Sequence, residues 1–141
     1  MTRLNTSKTC TGIQLLNLNF KPKYKQMGKL VEEFNSYRTK MNDRIMDTAN
    51  TNMKRFMALD TTCYADGSLD VKTKEMLGLV ASMVLRCDDC IKYHLGKCHD
   101  AGVNTEEINE IFTIANLVGG SIVIPHYRRA VEYWDELCVE P

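Results

Sequence analysis

From residue 27 onward, apolar side chains return every three or four positions, a spacing that marks helices. Met27, Leu30, Val31, Phe34, Met41 and Ile45 fall in this rhythm, with Glu32, Glu33, Arg38 and Lys40 on other faces. They predict a first helix from about Lys25 to Asp47. A second, shorter helix runs through Met53, Phe56, Met57 and Leu59. Asp66-Gly67 then marks a turn. Asp70 has the chemistry of an N-cap for a third, strongly apolar helix carrying Met76, Leu79, Val80, Met83 and Val84. Asp88 and Asp89 interrupt the apolar run and are expected to cap a fourth helix, with Ile91 and Leu95, that stops near Gly102. Asn104 with Glu107 reads as a capping box. The helix behind it buries Ile108, Ile111, Phe112, Ala115 and Val118 and ends at Gly119-Gly120. A last helix carries Val123, Ala130, Val131, Trp134 and Leu137, and Pro125 either starts it or kinks it.

No stretch alternates like a strand, and no internal repeat or low-complexity segment appears, so the class is all-α. Residues 1–22 lack clear periodicity and read as an N-terminal arm or tail, leaving 23–141 as one helical domain. At 141 residues the chain is long enough to bury a real core.

Charge changes this picture little. Lys plus Arg and Asp plus Glu both number 18, so no bulk charge points to nucleic acid or an anionic membrane. The distribution is uneven, with 11 basic and 5 acidic groups in residues 1–60 against 7 and 13 in residues 61–141. A basic helical arm resting on an acidic body or a neighbouring subunit fits that split better than a polyanion site. No run approaches the roughly 18 apolar residues of a membrane span. The patch from Ile13 to Leu18 is short and broken by Gln14 and Asn17, so no secretion signal is read and a cytoplasmic location is expected.

The candidate chemistry lies between Glu75 and Cys98. Cys87 and Cys90 form a C-x-x-C pair, and His94 follows Cys90 by four residues. On a helix these are i, i+3 and i, i+4 relations, so Cys90 has a thiol on one side and an imidazole on the other. A base beside a dithiol can take a thiol proton, after which the second sulfur closes a disulfide. Glu75 lies close to the buried side of the third helix, where a desolvated carboxylate would suit proton shuttling, but the pattern alone favours a solvated Glu on the polar face. At a helix start, orphan N–H groups favour a thiolate while Asp88 and Asp89 oppose it, and this position would make Cys87 the more exposed thiol. Of the six cysteines, Cys98 reads as a buried small residue, and a secreted-type disulfide framework is disfavoured. His126 reads as structural or exposed, and Tyr93 and His99 as pointing to other faces. The four donors of Cys87, Cys90, His94 and Cys98 also resemble a zinc set. A straight helix separates its ends by about 16 Å, whereas zinc needs every donor within about 2.3 Å, so no metal site is expected.

Taken together, Glu75, Cys87-x-x-Cys90 and His94 resemble the signature of the carboxymuconolactone decarboxylase superfamily, in its alkylhydroperoxidase D-like branch. The lead-in Asp66-Gly67-Ser68-Leu69-Asp70-x-x-Thr73-Lys74-Glu75 and the follow-on Ala101-Gly102-Val103-x-x-Glu106-Glu107-Ile108 carry the likeness further, over about Phe56 to Leu137. The resemblance implies an orthogonal bundle of about six helices that pack across subunits, in trimers or hexamers. It implies a thiol-dependent peroxidase with Cys90 and Cys87 as redox pair and Glu75 and His94 as proton relay. The substrate would be a hydroperoxide. The reductant would be a dithiol, a lipoyl group or a thioredoxin-like protein, with no cofactor beyond the cysteines. The chain departs from the pattern at Asp89, where peroxidase members often carry histidine. Thiol–disulfide exchange without peroxide, a decarboxylase of the carboxymuconolactone type, and a non-enzymatic oligomeric or metal-binding module are the alternatives.

Overall fold

The computed structural model describes residues 28–139. Within them the chain forms α1 (Lys29–Thr48), α2 (Thr51–Cys63), α3 (Val71–Val84), α4 (Asp88–Asp100), α5 (Thr105–Gly119), a 3-10 turn at Ser121–Val123, and α6 (Ile124–Cys138). No strand occurs among the described residues. The expected N-terminal arm, the start of the first helix before Gly28, and Cys10 lie outside them.

Local chemistry accounts for most boundaries. Asp70 accepts a hydrogen bond from the Thr73 N–H and starts α3. Asn104 and Glu107 complete the capping box that starts α5. Asn50 caps α2 through the Met53 N–H. Pro125 sits in the first turn of α6, where its missing N–H costs nothing, so it starts the helix and does not kink it. Gly28 provides no side chain for α1, and the cap comes from elsewhere in the chain. Glu136 Oε2 on α6 accepts from the N–H groups of Leu30 at 3.0 Å and Val31 at 3.2 Å, anchoring α1 to the body by its positive end.

Three expectations are corrected. Asp88 and Asp89 occupy the first turn of α4, but the capping position belongs to Cys87, whose sulfur accepts from the Cys90 N–H at 3.4 Å. Val118 is exposed, because α5 turns that side away from the core. Val123 is fully buried, but in the 3-10 turn ahead of α6.

The core is built by α3 to α6. Helix α3 packs on α4 and α5, and α4 packs on α6. Leu79, Met83, Ile91, Leu95, Phe112 and Tyr133 are the large side chains at its centre. Lys72 on α3 donates to both carboxylate oxygens of Glu107 at 2.7 and 2.9 Å, joining the starts of α3 and α5. Helices α1 and α2 bury no residue completely. Helix α1 rests half-buried on the body through Leu30, Val31 and Phe34, with the Phe34 ring edge-on to Tyr133 at 5.9 Å.

One connection bears directly on the cysteines. After α3, Arg86 adopts a left-handed conformation with φ of 59°. The Arg86 N–H bonds to Met83 O and the Cys87 N–H to Ser82 O at 3.1 Å, the paired bonds of a Schellman turn. Helix α4 ends in the same turn, with Gly102 as the left-handed residue. No described helix is long and apolar enough to cross a membrane.

Candidate functional site

Helix α3 supplies the buried acid of the site. Glu75 is only 3 % exposed, settling its position on the core-facing side of the helix. Helix α4 crosses α3 and brings His94 onto it, with Nδ1 2.7 Å from Glu75 Oε2. An ionised Glu75 can only accept, and against it Nδ1 would carry the proton and donate. The other ring nitrogen, Nε2, is then the one with a free lone pair.

Two tyrosines hold the imidazole. The Tyr64 ring lies 5.3 Å from it at 36°, and the Tyr93 ring meets it edge-on at 5.2 Å. Burial, then the Glu75 charge, pushes both phenols upward, so they stay protonated. Gly78 completes the seat. A Cβ there would lie 2.6 Å from His94 Cε1 and 2.7 Å from the Tyr64 hydroxyl, closer than real side chains come. Only glycine leaves room for the imidazole to reach Glu75.

The sulfurs lie one turn up α4. Cys87 and Cys90 are joined in a disulfide, with Cα atoms 5.3 Å apart. Cys90 is exposed and Cys87 half-buried, the reverse of the order expected from the helix start. Helix α4 runs inward from Cys87 on a fixed turn, whereas Cys90 faces a cavity of about 340 Å³. His94 lines the same cavity, as do Phe34, Tyr37, Arg38 and Met41 of α1, Asp60 of α2, and Tyr93. The Arg38 guanidinium lies 4.2 Å above the Tyr93 ring.

All four sequence candidates, Glu75, Cys87, Cys90 and His94, thus meet at one place. Tyr93 corrects the sequence reading, because it packs on His94 and faces the cavity. Tyr64, Gly78 and Arg38 were not singled out. Arg38, assigned above to another face of the first helix, in fact follows Phe34 by four residues and precedes Met41 by three, so all three share the face that lines the cavity.

The remaining thiols differ in kind. Burial pushes the Cys98 thiol up to about 12, with the Glu75 charge adding to it, so Cys98 stays protonated and inert. Cys63 is exposed at the end of α2. Among the described residues no cluster of three His, Cys, Asp or Glu could hold a metal ion. His99 faces Trp134, with ring centres 5.8 Å apart. His126 makes a structural contact to Asp88 on α4.

Comparison with known proteins gives a consistent outcome. The family model for the carboxymuconolactone decarboxylase family matches residues 51–133. A crystal structure from Thermotoga maritima, of a carboxymuconolactone decarboxylase family protein with a suggested part in the antioxidative response, is similar. It shares 54% identity and a TM-score of 0.72 over 74% of this chain and 89% of that one. A family protein from Legionella pneumophila has the same fold at 23% identity, with a TM-score of 0.72 over 78% of this chain and 98% of that one. "Uncharacterized protein 4 in cox locus" of Paracoccus denitrificans is 29% identical over 82 residues, 58% of this chain and 74% of its own length.

Proposed function

The chain belongs to the carboxymuconolactone decarboxylase family, and we propose that within it the protein is a thiol-dependent peroxidase that reduces hydroperoxides with Cys87 and Cys90. The observation that carries this reading is the shared cavity: exposed Cys90 and the otherwise buried His94 line it together, and Glu75 is buried directly behind the imidazole.

The cycle begins with the reduced pair. Glu75 fixes the His94 tautomer and stabilises the imidazolium, so His94 Nε2 takes the Cys90 proton, directly or through a water. The Cys90 thiolate attacks one peroxide oxygen. A sulfur–oxygen bond forms, the O–O bond breaks, and the alcohol leaves with the proton returned by His94. Cys87 then attacks the sulfenic sulfur of Cys90. A sulfur–sulfur bond forms and water departs, giving the disulfide state of this structure. An external dithiol, a lipoyl group or a thioredoxin-like protein, restores both thiols by exchange. Tyr64 and Tyr93 keep the imidazole in place and exclude water from the Glu75 contact.

The cavity wall formed by Phe34, Tyr37 and Met41 suits an organic hydroperoxide better than hydrogen peroxide, which is far smaller than about 340 Å³. The exposed Leu77 on α3, Leu85 just after it, and Ile114, Leu117 and Val118 on α5 fit a homo-oligomer. We place the reaction in the cytoplasm, where dithiol reductants maintain such pairs.

The test is to mix reduced protein with an organic hydroperoxide and count free thiols. Loss of two thiols per chain, abolished in Cys90→Ser, is expected. Oxidation by small disulfides but not by hydroperoxide would replace this reading with thiol–disulfide exchange.

A further inference from the structure

A second cluster of charged side chains touches the cysteine helix outside the cavity. Asp88 directly follows Cys87 in the first turn of α4, and its carboxylate meets the start of α6. His126 Nδ1 lies 2.8 Å from Asp88 Oδ1, and Arg129 Nη2 lies 2.9 Å from Oδ2. Arg129 Nη2 also comes within 3.0 Å of His126 Nδ1. One ring nitrogen cannot donate to a carboxylate and accept from a guanidinium at once. With the proton on Nδ1, both donors converge on Asp88 and the third approach is mere proximity. Desolvation works to raise the Asp88 carboxyl, but hydrogen bonds from Arg129 and His126 outweigh it and hold the group below the usual range.

Cys87 is therefore fixed on both sides. Before it, its N–H is bonded to Ser82 O within the turn made by Arg86. After it, Asp88 is tied to α6. Cys90 lies one turn further along and faces the cavity.

We infer that Asp88, His126 and Arg129 form a positioning clamp that keeps Cys87 within bonding reach of Cys90, and so control disulfide closure and not the first attack on the oxidant. Closure demands a narrow range of Cα separation and direction, met here at 5.3 Å. Cys87 sulfur bonds to the Cys90 sulfur, the sulfenic S–O bond breaks, and hydroxide leaves with the Cys87 proton as water. Without the clamp the first turn of α4 frays, and Asp88 presents an uncompensated negative charge beside the thiol pair. The order of steps rests on the peroxidase reading; the closure equilibrium does not.

The experiment uses Arg129→Gln and His126→Gln, with Arg129→Lys as the conservative variant. In the first arm each protein is equilibrated with mixtures of reduced and oxidised dithiothreitol, and the 87–90 disulfide is counted by alkylation and peptide mass. The constant for disulfide formation is expected to fall about fivefold in both glutamine variants, the scale of a partly exposed ion pair, and to recover in part with lysine. In the second arm reduced protein meets cumene hydroperoxide in the presence of dimedone. The first loss of the Cys90 thiol is expected to keep its wild-type rate, while more of the Cys90 sulfenic acid is captured as its dimedone adduct before Cys87 closes on it. Unchanged dithiothreitol constants in both glutamine variants, with helix content intact, would overturn the clamp. So would a fall that lysine does not reverse at all, which marks general destabilisation. If the wild-type protein loses no thiols to hydroperoxide, the peroxidase reading fails, and the dithiothreitol arm still decides the clamp.

Discussion

Helices α3 to α6 enclose an apolar core and helices α1 and α2 do not, although α3 and α5 also leave Leu77, Ile114 and Leu117 exposed. The first group turns Leu79, Ile91, Leu95, Ile108 and Phe112 inward until almost none of their surface meets solvent. The second group buries no residue fully and leaves Phe56 and Leu59 about 60 % exposed, at 62% and 59%. The chemistry divides the same way. Glu75, His94 and both cysteines stand on the packed body, where neighbours over-determine their geometry. Tyr37, Arg38, Met41 and Asp60, which shape the entrance, stand on the loosely held pair. The candidate site is thus built on densely packed elements, and its cavity is walled by elements with little burial of their own.

The largest expected effects test the packing side of this contrast. Phe112→Ala should destabilise by about 3 to 5 kcal/mol, as a cavity left in a dense core, whereas Phe34→Ala on half-buried α1 should cost roughly 1 to 2 kcal/mol. Denaturant titrations of the two variants give the comparison directly, and equal losses would break it.

Alkaline unfolding should also begin in the body. Cys98 titrates near 9.0 when unfolded but at about 12 when folded, because burial disfavours the thiolate. The folded state therefore holds a proton that the unfolded state releases. Its stability is intact below pH 9 and falls as pH rises toward 12, by roughly 1.4 kcal/mol for each unit between the two values. Tyr133, pushed up to about 12 by burial and the Glu136 charge, acts in the same direction. Cys98→Ala should flatten the stability curve in this window.

Glu75→Gln keeps an acceptor for His94 Nδ1 but removes the charge. It should slow hydroperoxide-driven thiol loss by about a hundredfold near neutral pH without unfolding the protein. An unchanged rate would remove Glu75 from the relay. Gly78→Ala should act on the same pair by sterics, pushing the imidazole off Glu75 and slowing the reaction by about tenfold. Its pH profile of Cys90 alkylation should move in the same direction as that of Glu75→Gln.

The sequence carried the helices well, since their start signals are local. Asp70 and the Asn104–Glu107 box act within three residues, and both appear as read. The buried acid was less legible. Glu75 and His94 are 19 residues apart on different helices, and only the crossing of α3 and α4 makes them partners. Tyr93 was placed on an outer face because helical spacing ignores the neighbour; α1 lies there and converts an outer face into a cavity wall. The cap of α1 was invisible for a related reason. Its acceptor is Glu136, more than a hundred residues later, so no local pattern announces it. Cys87 as a cap escaped notice because sulfur is a weak acceptor seldom used for that purpose.

The two Schellman turns carry a final lesson. At the end of α4 the left-handed position is filled by Gly102, which adopts it without penalty, but at the end of α3 an arginine occupies it. A side chain in that conformation costs on the order of 1 kcal/mol. The hinge leading into Cys87 is consequently stiffer than glycine would make it: the chain forgoes some durability there in exchange for a narrower range of approach for the sulfur that follows.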